Sequence, residues 1–429
     1  MHSLNIVAPE LLLVAGSIFV LLAGLWFNNK KFLITAASAT LIASFFMLTH
    51  MTGKPMQDVF NGLLSFDPFG HFFSVFAVLV TLFAIWMSAR SSEIPKDRYP
   101  EFVSLLLALC TGLIFMATSN HLLMVYLALE TVSILSYTLA GFSKNKSASI
   151  EASLKYVVYG SMASAIMVYG MSLIYGVTGH LEMTGIREYV LQTPPEQIPT
   201  LLWVATLLVF AGIGYKISAA PMHMWTPDVY EGAPTPVSAL LSVGPKAAGF
   251  ALLIRFFITS FTLPVSAGGE LITASTDPAV FAFQIVGQFD WPKFLMISSI
   301  FTMFMGNLAA LGQVSVKRIL AYSSIAHAGY VLMGVTTQTM GGLNAVLFYL
   351  VIYCVMNLGA FWVSSLVEDT YGGDYLRHFR GLGTRRPFHA FAMAVFMFSL
   401  VGLPPFAGFI GKLYLFSAII AREMYGFAI

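Results

Sequence analysis

Six ionisable side chains stand inside runs of apolar sequence where water does not normally reach: Glu130, Lys155, Lys216, Lys246, Arg255 and Lys412. A charge at mid-bilayer costs about 2.5–3.5 kcal/mol on insertion scales, and such residues need partners or water and mark ion or proton pathways. Glu130 is the central acid, flanked by Thr131, Ser133 and Ser136, whose hydroxyls can solvate a carboxylate. Lys216 lies in Gly212-Ile-Gly-Tyr-Lys-Ile-Ser-Ala-Ala-Pro221. Pro221 has no N–H to offer the carbonyl of Ile217, so a bare acceptor is left beside the lysine. Lys246 follows Gly244-Pro245, and Lys412 follows Pro404-Pro405 between Gly408, Gly411 and Tyr414. Two proline-broken segments, each with a lysine near the break, suggest a duplicated architecture with a half-site in each repeat.

Burial favours the neutral amine of a lysine, and a nearby carboxylate restores the ammonium. Moving Glu130 toward or away from Lys216 therefore makes a proton switch from one ion pair. His223, just past the first break, and His327 are placed to relay between such sites, because imidazole titrates near neutrality. Each assignment has a plainer alternative. Glu130 and its partner could be a fixed structural pair, Lys155 and Lys216 could reach to the interface, and Arg255 reads as a snorkelling anchor. Glu10 sits near the outer end of the first apolar run, and His121 reads as interfacial.

The elements that must hold these groups are membrane spans. Of 429 residues, 58% are hydrophobic and 10% charged, against about 25% charged in soluble domains. A soluble protein is excluded, and a net charge of +2 is too small and dispersed for a nucleic-acid partner. Twelve apolar runs follow one another: Leu4–Trp26, Phe32–Leu48, Phe69–Ser88, Phe102–Ala117, Leu122–Gly141, Leu154–Val177, Leu201–Ile217, Val237–Phe261, Phe294–Leu311, Ile319–Val335, Leu343–Val367 and Phe388–Ile420. The last is overlong and interrupted by Pro404-Pro405, which predicts a broken helix. The first lacks a basic start and a small-residue cleavage site, so it reads as a span and not a cleaved signal.

Lys and Arg distribute unevenly over alternate loops. Odd-numbered loops hold Lys30, Lys31, Arg90, Lys96, Arg98, Lys144, Lys146, Lys317, Arg318, Arg377, Arg380, Arg385 and Arg386; even-numbered loops hold Lys54, Arg187 and Lys293. The bias places odd loops in the cytoplasm and the N-terminus outside. One odd loop, Met222–Pro236, dissents: it has no Lys or Arg but carries Asp228 and Glu231. No linker or long soluble stretch divides the chain, so residues 1–429 form a single integral membrane domain. Cys110 and Cys354 both lie in apolar runs and read as small buried hydrophobes. Two thiols fall short of the four that an iron–sulfur cluster usually takes.

Lys216–Ala239, reading Lys-Ile-Ser-Ala-Ala-Pro-Met-His-Met-Trp-Thr-Pro-Asp-Val-Tyr-Glu-Gly-Ala-Pro-Thr-Pro-Val-Ser-Ala, resembles a signature of the antiporter-like subunits of proton-pumping NADH:quinone oxidoreductase, respiratory complex I. Lys317–Tyr330, Lys-Arg-Ile-Leu-Ala-Tyr-Ser-Ser-Ile-Ala-His-Ala-Gly-Tyr, is similar to a second motif of that family. Thr226-Pro-Asp-Val-Tyr230 and the lysine at 412 look most like the N-type subunit, whose mitochondrial counterpart is subunit 2. The resemblance runs along essentially the whole chain.

The resemblance implies an all-α polytopic membrane protein of about twelve or more transmembrane helices, with inverted five-helix repeats and two broken helices. Residues 1–100 would hold the first three helices, 101–261 the first repeat and 292–429 the second. The family usually has two helices after the second broken one, so the second repeat would lack its last helix in this sequence. By position, the resemblance makes Glu130 the fifth-helix glutamate, Lys216 its partner in the broken seventh, Lys155 the sixth-helix lysine and Lys246 the central lysine of the eighth. Lys412 takes the place of the lysine in the broken twelfth helix, near the outward exit; His223 and His327 fall within matched motifs. Together these seven are the expected proton-transfer residues, in a multi-pass protein of the bacterial inner (plasma) membrane. No cofactor is expected in this chain: NADH, FMN, iron–sulfur clusters and quinone would belong to other subunits. The expected partners are neighbouring antiporter-like and small membrane subunits and the lipid bilayer. A cation/proton antiporter shares much of this charge pattern and stays as the alternative, although Glu130 is the only central carboxylate available to a bound Na⁺. A passive scaffold is disfavoured by five intramembrane bases and two broken helices.

Overall fold

A computed structural model of the protein describes residues 2–27, 29–52, 56–266, 271 and 281–429. Lys54, one of the even-loop charges, and residues 267–270 and 272–280 of the Thr262–Lys293 loop lie outside the described residues. The elements are α1 (His2–Ile6), α2 (Ala8–Trp26), α3 (Lys30–His50), the hairpin β1 (Gln57–Val59) and β2 (Leu64–Phe66), α4 (Pro68–Ser88), α5 (Tyr99–Thr118), α6 (Leu122–Ala140) and α7 (Ser147–Thr178). There follow α8 (Met183–Gln192), α9 (Thr200–Ile217), α10 (Thr226–Gly232), α11 (Thr235–Phe261), the hairpin β3 (Thr262–Val265) and β4 (Ala282–Ile285), and α12 (Trp291–Ala310). The chain continues through α13 (Val316–Val335), α14 (Met340–Tyr371), α15 (Leu382–Arg385), α16 (Pro387–Val401), α17 (Ala407–Ile420) and α18 (Tyr425–Ala428).

Every apolar run of the sequence coincides with a helix or, for the last, with the pair α16 and α17. Helix ends are set locally. Asn29, Asp67, Asp290, Ser315 and Thr339 accept backbone N–H bonds at the starts of α3, α4, α12, α13 and α14, satisfying donors a helix start leaves open. Among the described residues, ten helices are long and apolar enough to cross a membrane by length and composition. α13 misses that standard because it carries Lys317, Arg318 and His327, and α16 and α17 because each is half of a broken span.

The two breaks share their punctuation. α9 stops at Ser218, which adopts a left-handed conformation (φ 62°), and Ala220–Pro221 is cis before α10 begins. α16 stops at Gly402 (φ 88°), and Pro404–Pro405 is cis before α17. α11 threads the centre of the molecule, buried along nearly its whole length and packed on α4, α5, α9 and α14.

The loops sort by parity. On one face Lys146 pairs with Glu93 at 2.9 Å, Ser92 bonds Asp369, and Arg318 reaches Asp228 and Glu231, all from odd-numbered loops or the helix ends beside them. On the other, Leu64 bridges Ser119, His121 bridges Glu182 and Ala282 bridges Thr339, all from even-numbered loops or their flanks. This is the arrangement that an uninterrupted series of crossings requires. It also explains the dissenting Met222–Pro236 loop: Asp228 and Glu231 are the counter-charges of Arg318, 2.7 Å away in each case.

Arg255 corrects the sequence reading. Its side chain does not snorkel but is 5% exposed, clamped to both oxygens of Asp67 at 2.8 and 2.9 Å and to the Ala117 carbonyl at 3.1 Å. The even-loop carboxylate that caps α4 lies within its reach, which removes any need to extend into water. Glu10 is buried in α2, with both carboxylate oxygens unpartnered.

Candidate functional site

Five of the expected residues form a polar axis across the molecule, from α6 to α17, with Lys216, Lys246 and His327 buried and Glu130 and Lys412 half-buried at its ends. At one end is Glu130, whose Oε1 is buried without a hydrogen-bond partner. It lines a lateral cavity of about 560 Å³ with Tyr126, Ser161, Ser164 and Tyr169. Lys216, 1% exposed on α9, donates to Ser133 Oγ at 3.1 Å. Among the described residues no ion pair within 4.0 Å joins it to Glu130. The expected pair is therefore separated, with the lysine resting on a neutral hydroxyl one helical turn from the acid.

Aromatic rings fill the space from Lys216 to the next lysine. Lys216 Nζ lies 5.8 Å from the Tyr156 ring centre; Tyr156 stacks on Trp225 at 4.4 Å, Trp225 meets Tyr230 at 6.0 Å, and Lys246 Nζ lies 5.7 Å from Tyr230. Ammonium–ring distances under about 6 Å are attractive through the ring quadrupole. Trp225 is fixed by its Nε1–H on the Tyr215 carbonyl, 2.9 Å away in the α9 break. The break thus supplies an acceptor that a continuous helix would have consumed.

Lys246, 3% exposed, crosses from α11 to α13, donating to Ser324 Oγ at 2.7 Å and to the Ser324 carbonyl at 3.1 Å. One turn further along α13, His327 is buried against Tyr330, Tyr349 and Tyr353, with Nδ1 hydrogen-bonded to the Tyr349 hydroxyl. Tyr330 leads to Lys412, whose Nζ stands 4.6 Å from its ring centre. Lys412 also donates to the carbonyls of Leu400 and Val401 at 3.1 and 2.9 Å, the open acceptors at the end of α16. The second broken helix holds its lysine by the carbonyls the break exposes.

Lys155 and His223 lie off this line. Lys155 pairs with Asp228 at 2.6 Å and Glu151 at 2.7 Å, with its side chain 38% exposed. His223 is buried in the α9–α10 break, its Nδ1 without a partner. Around Lys155, Glu93, Glu231, Lys317, Arg318 and Glu368 share a polar cavity of about 300 Å³ with Asp228 at the face where the odd loops meet. Burial alone would raise the Asp228 carboxyl, but hydrogen bonds from Lys155 and Arg318 outweigh it and hold the group below its ordinary range. At Glu93 burial is likewise overcome by Lys317 and Lys146, with a backbone bond from Thr235, leaving the carboxyl well below the usual carboxylate value.

Of the connecting groups, Ser133 was marked in sequence only as a hydroxyl flanking Glu130, not as the partner of Lys216, and Tyr156, Trp225, Tyr230, Ser324 and Tyr349 were given no role there. Each is a common residue in an apolar run, and only the fold reveals which lysine or histidine it meets. Cys110 and Cys354 lie on different helices, α5 and α14, and offer no thiolate set for a cluster. Among the described residues no group of three or more His, Cys, Asp or Glu is arranged to hold a metal ion.

The transmembrane profile of the NADH:quinone oxidoreductase/Mrp antiporter family matches residues 119–272 and 266–429. NADH-quinone oxidoreductase subunit N 2 of Sorangium cellulosum (strain So ce56) is 47% identical, covering 98% of this chain and 82% of the relative. Subunit N of Anaeromyxobacter sp. (strain Fw109-5) is 43% identical over 96% of this chain and 80% of its own length. In respiratory complex I from Thermus thermophilus with bound aureothin, one chain matches with a TM-score of 0.77 at 30% identity, over 98% of this chain and 84% of that one. A chain of the Mrp complex from Dietzia sp. DQ12-45-1b shares the fold, with a TM-score of 0.79 at 22% identity over 98% of this chain and 76% of that one. With the family profile matched over residues 119–429 and these relatives 43–47% identical over nearly all of this chain, the chain belongs to the NADH:quinone oxidoreductase/Mrp antiporter family and, within it, to the subunit N group.

Proposed function

We propose that this protein is the proton-translocating subunit N of a proton-pumping NADH:quinone oxidoreductase, with Glu130, Lys155, Lys216, His223, Lys246, His327 and Lys412 as its proton-transfer residues. The observation that carries the reading is the succession of proton-holding groups from Glu130 to Lys412, in two segments divided by the rings between Lys216 and Lys246, which a scaffold would not need. Glu130 and Lys216 act as the switch. A carboxylate brought near Lys216 holds its ammonium, and withdrawal to the present separation loosens that hold and changes the charge that Lys246 senses across the intervening rings. Lys246 passes charge through Ser324 to His327, and Lys412 releases it at the second break. Lys155 and His223 serve the approach to Lys216 from the odd-loop face.

The energy comes from quinone reduction elsewhere in the complex, with NADH, FMN, iron–sulfur clusters and quinone on other subunits. Cys110, buried on α5, and Cys354, half-buried on α14, stand on separate helices. The partners are the neighbouring antiporter-like and small membrane subunits. The protein spans a bacterial inner membrane with odd loops cytoplasmic and the N-terminus outside, the orientation supported by the Lys and Arg bias. Residues 1–100 carry the first three helices, and 101–261 and 292–429 the two inverted repeats.

The test is to tag the chain in its native membrane and purify it mildly. Co-purifying NADH oxidation, flavin and iron are expected, together with loss of proton pumping in Glu130→Ala and Lys216→Ala. Normal pumping by both variants in the assembled complex would overturn the switch. A cofactor-free preparation that exchanges cations for protons would overturn the assignment to the redox complex.

A further inference from the structure

A second buried polar file meets the axis at Lys246 from the side. It runs between α11 and α14, and its residues recur at helical spacing on both. On α11 they are Thr235, Ser238, Ser242 and Lys246, three or four residues apart and so on one face. On α14 they are Glu368, Ser364, Asn357 and Tyr353, spaced four, seven and four. The helices are cross-linked along this seam: Thr235 Oγ1 donates to Glu368 at 2.5 Å, Asn357 Nδ2 to Ser242 Oγ at 2.5 Å, and the Tyr353 hydroxyl to the Ser242 carbonyl at 3.3 Å. Ser238, Ser242, Asn357 and Ser364 are all 0% exposed.

Three polar atoms here are buried without any partner: Ser364 Oγ, Asn357 Oδ1 and the Tyr230 hydroxyl beside Lys246. Buried polar groups are ordinarily satisfied by protein or ordered water. Unsatisfied atoms at successive levels of one seam are the partners that single water molecules take, two to four to each. Hydroxyls one turn apart, about 5.4 Å along a helix, are joined by one such molecule.

The seam opens at the odd-loop face on two carboxylates with unequal surroundings. Glu93 accepts from Lys146 Nζ at 2.9 Å and from Thr235 N at 2.6 Å, which fixes it as an anion. Glu368 accepts only the Thr235 hydroxyl closely, with Lys317 Nζ at 3.6 Å. The other charges facing this cavity are Glu151 and Asp228, paired with Lys155, Glu231, paired with Arg318, and Asp374, which bonds Ser315 and the Lys317 N–H. Glu368, at the mouth of the seam and against a polar cavity of about 300 Å³, is thus the less committed of the two carboxylates.

We propose that the α11/α14 seam is a proton-uptake route feeding Lys246 from the odd-loop face, with Glu368 as its loading group; this rests on the pumping role given above. A proton from that face binds the Glu368 carboxylate. It passes to water held by Ser364, and each hydroxyl or water along Ser242, Asn357 and Tyr353 accepts one proton and releases another. The neutral amine of Lys246 takes the last, and Glu368 is left ionised to load again. Lys246 is then charged without a proton crossing the aromatic rings that separate it from Lys216.

The test uses the intact complex in proteoliposomes, measuring NADH oxidation and protons moved per NADH. Ser364→Val with Asn357→Leu makes the seam apolar; Ser364→Ala with Asn357→Ser is the milder pair if the first does not assemble. Coupled turnover is expected to fall about tenfold or more, within the range a positioned proton-transfer group supplies. Glu368→Gln should match it, Glu368→Asp should restore most of the rate, and Ser365→Val, one position off the seam, should leave it unchanged. Wild-type pumping by an assembled apolar-seam pair and by Glu368→Gln, alongside a defective Lys246→Met, overturns the route and leaves the axis intact. If Lys246→Met also pumps normally, the axis itself is wrong.

Discussion

Lys216 donates to Ser133 at 3.1 Å, and Glu130, three residues before that serine on α6, keeps a buried oxygen unpartnered. In the proposed switch, the serine is the acceptor on which the lysine waits when the acid is withdrawn. A hydrogen bond to a charged group contributes about 1.5–3 kcal/mol. Ser133→Ala should slow coupled NADH oxidation and pumping by about tenfold, while Ser133→Thr, which keeps the hydroxyl, should stay near wild type. Equal rates for both variants would remove Ser133 from the switch.

Lys412 is half-buried and Arg255 buried, and one rests on open carbonyls, the other on a carboxylate. Lys412→Met should lower proton pumping on the order of tenfold with little change in assembly. Arg255→Met strands Asp67 and should cost about 3–5 kcal/mol of stability, read as a lower unfolding temperature in protein that still pumps. Matching pumping defects in the two would mean that burial of charge, not position in the file, sets the effect.

Glu93 gives a pH dependence with a definite sign. Its carboxyl drops from the ordinary 4.5 to about 2 in the folded chain, burial being outweighed by Lys317 and Lys146. A depressed carboxylate contributes stability that is complete above 4.5 and is lost as pH falls toward 2. The unfolding-temperature gap between wild type and Glu93→Gln should therefore be widest at neutral pH and shrink between pH 4.5 and 3. A gap that grows on acidification would reverse the assignment.

Gly408 tests the second break. A Cβ there would lie 1.8 Å from the Ser399 carbonyl oxygen, and the Gly408 N–H already caps Ser399 Oγ at 3.0 Å. Gly408→Ala must push α17 off α16, with an overpacking cost of about 1–3 kcal/mol. Differential scanning should register the loss; an unchanged transition would mean the two half-helices separate without cost.

Spans were legible because a bilayer forces long apolar runs, and the prolines at 221, 245, 404 and 405 stood out against them. The seven proton-transfer candidates were legible for the same reason: a lysine or glutamate in such a run is conspicuous. Their partners were not. Lys155 meets Asp228 across 73 residues of sequence and Lys246 meets Ser324 across 78, distances over which local pattern carries no information. Serines such as Ser324 and Ser364 are unremarked in sequence, and Ser133 stood out only as a neighbour of Glu130, because a hydroxyl is tolerated almost anywhere in a helix; only packing decides which one faces a lysine. The hairpins β1–β2 and β3–β4 and the short helix α8 were likewise hidden, being brief segments within outer loops.

The rings of Tyr156, Trp225 and Tyr230 stand in single file from Lys216 to Lys246. Such a partition offers protons few hydroxyls to hop along, yet its low polarisability lets an electric field through far better than water would. Each lysine feels the charge of the other while their protons stay apart. The wall works like the dielectric of a capacitor, so gaining a charge on one plate raises the cost of holding one on the other, and leakage and signalling are separated by the same three side chains.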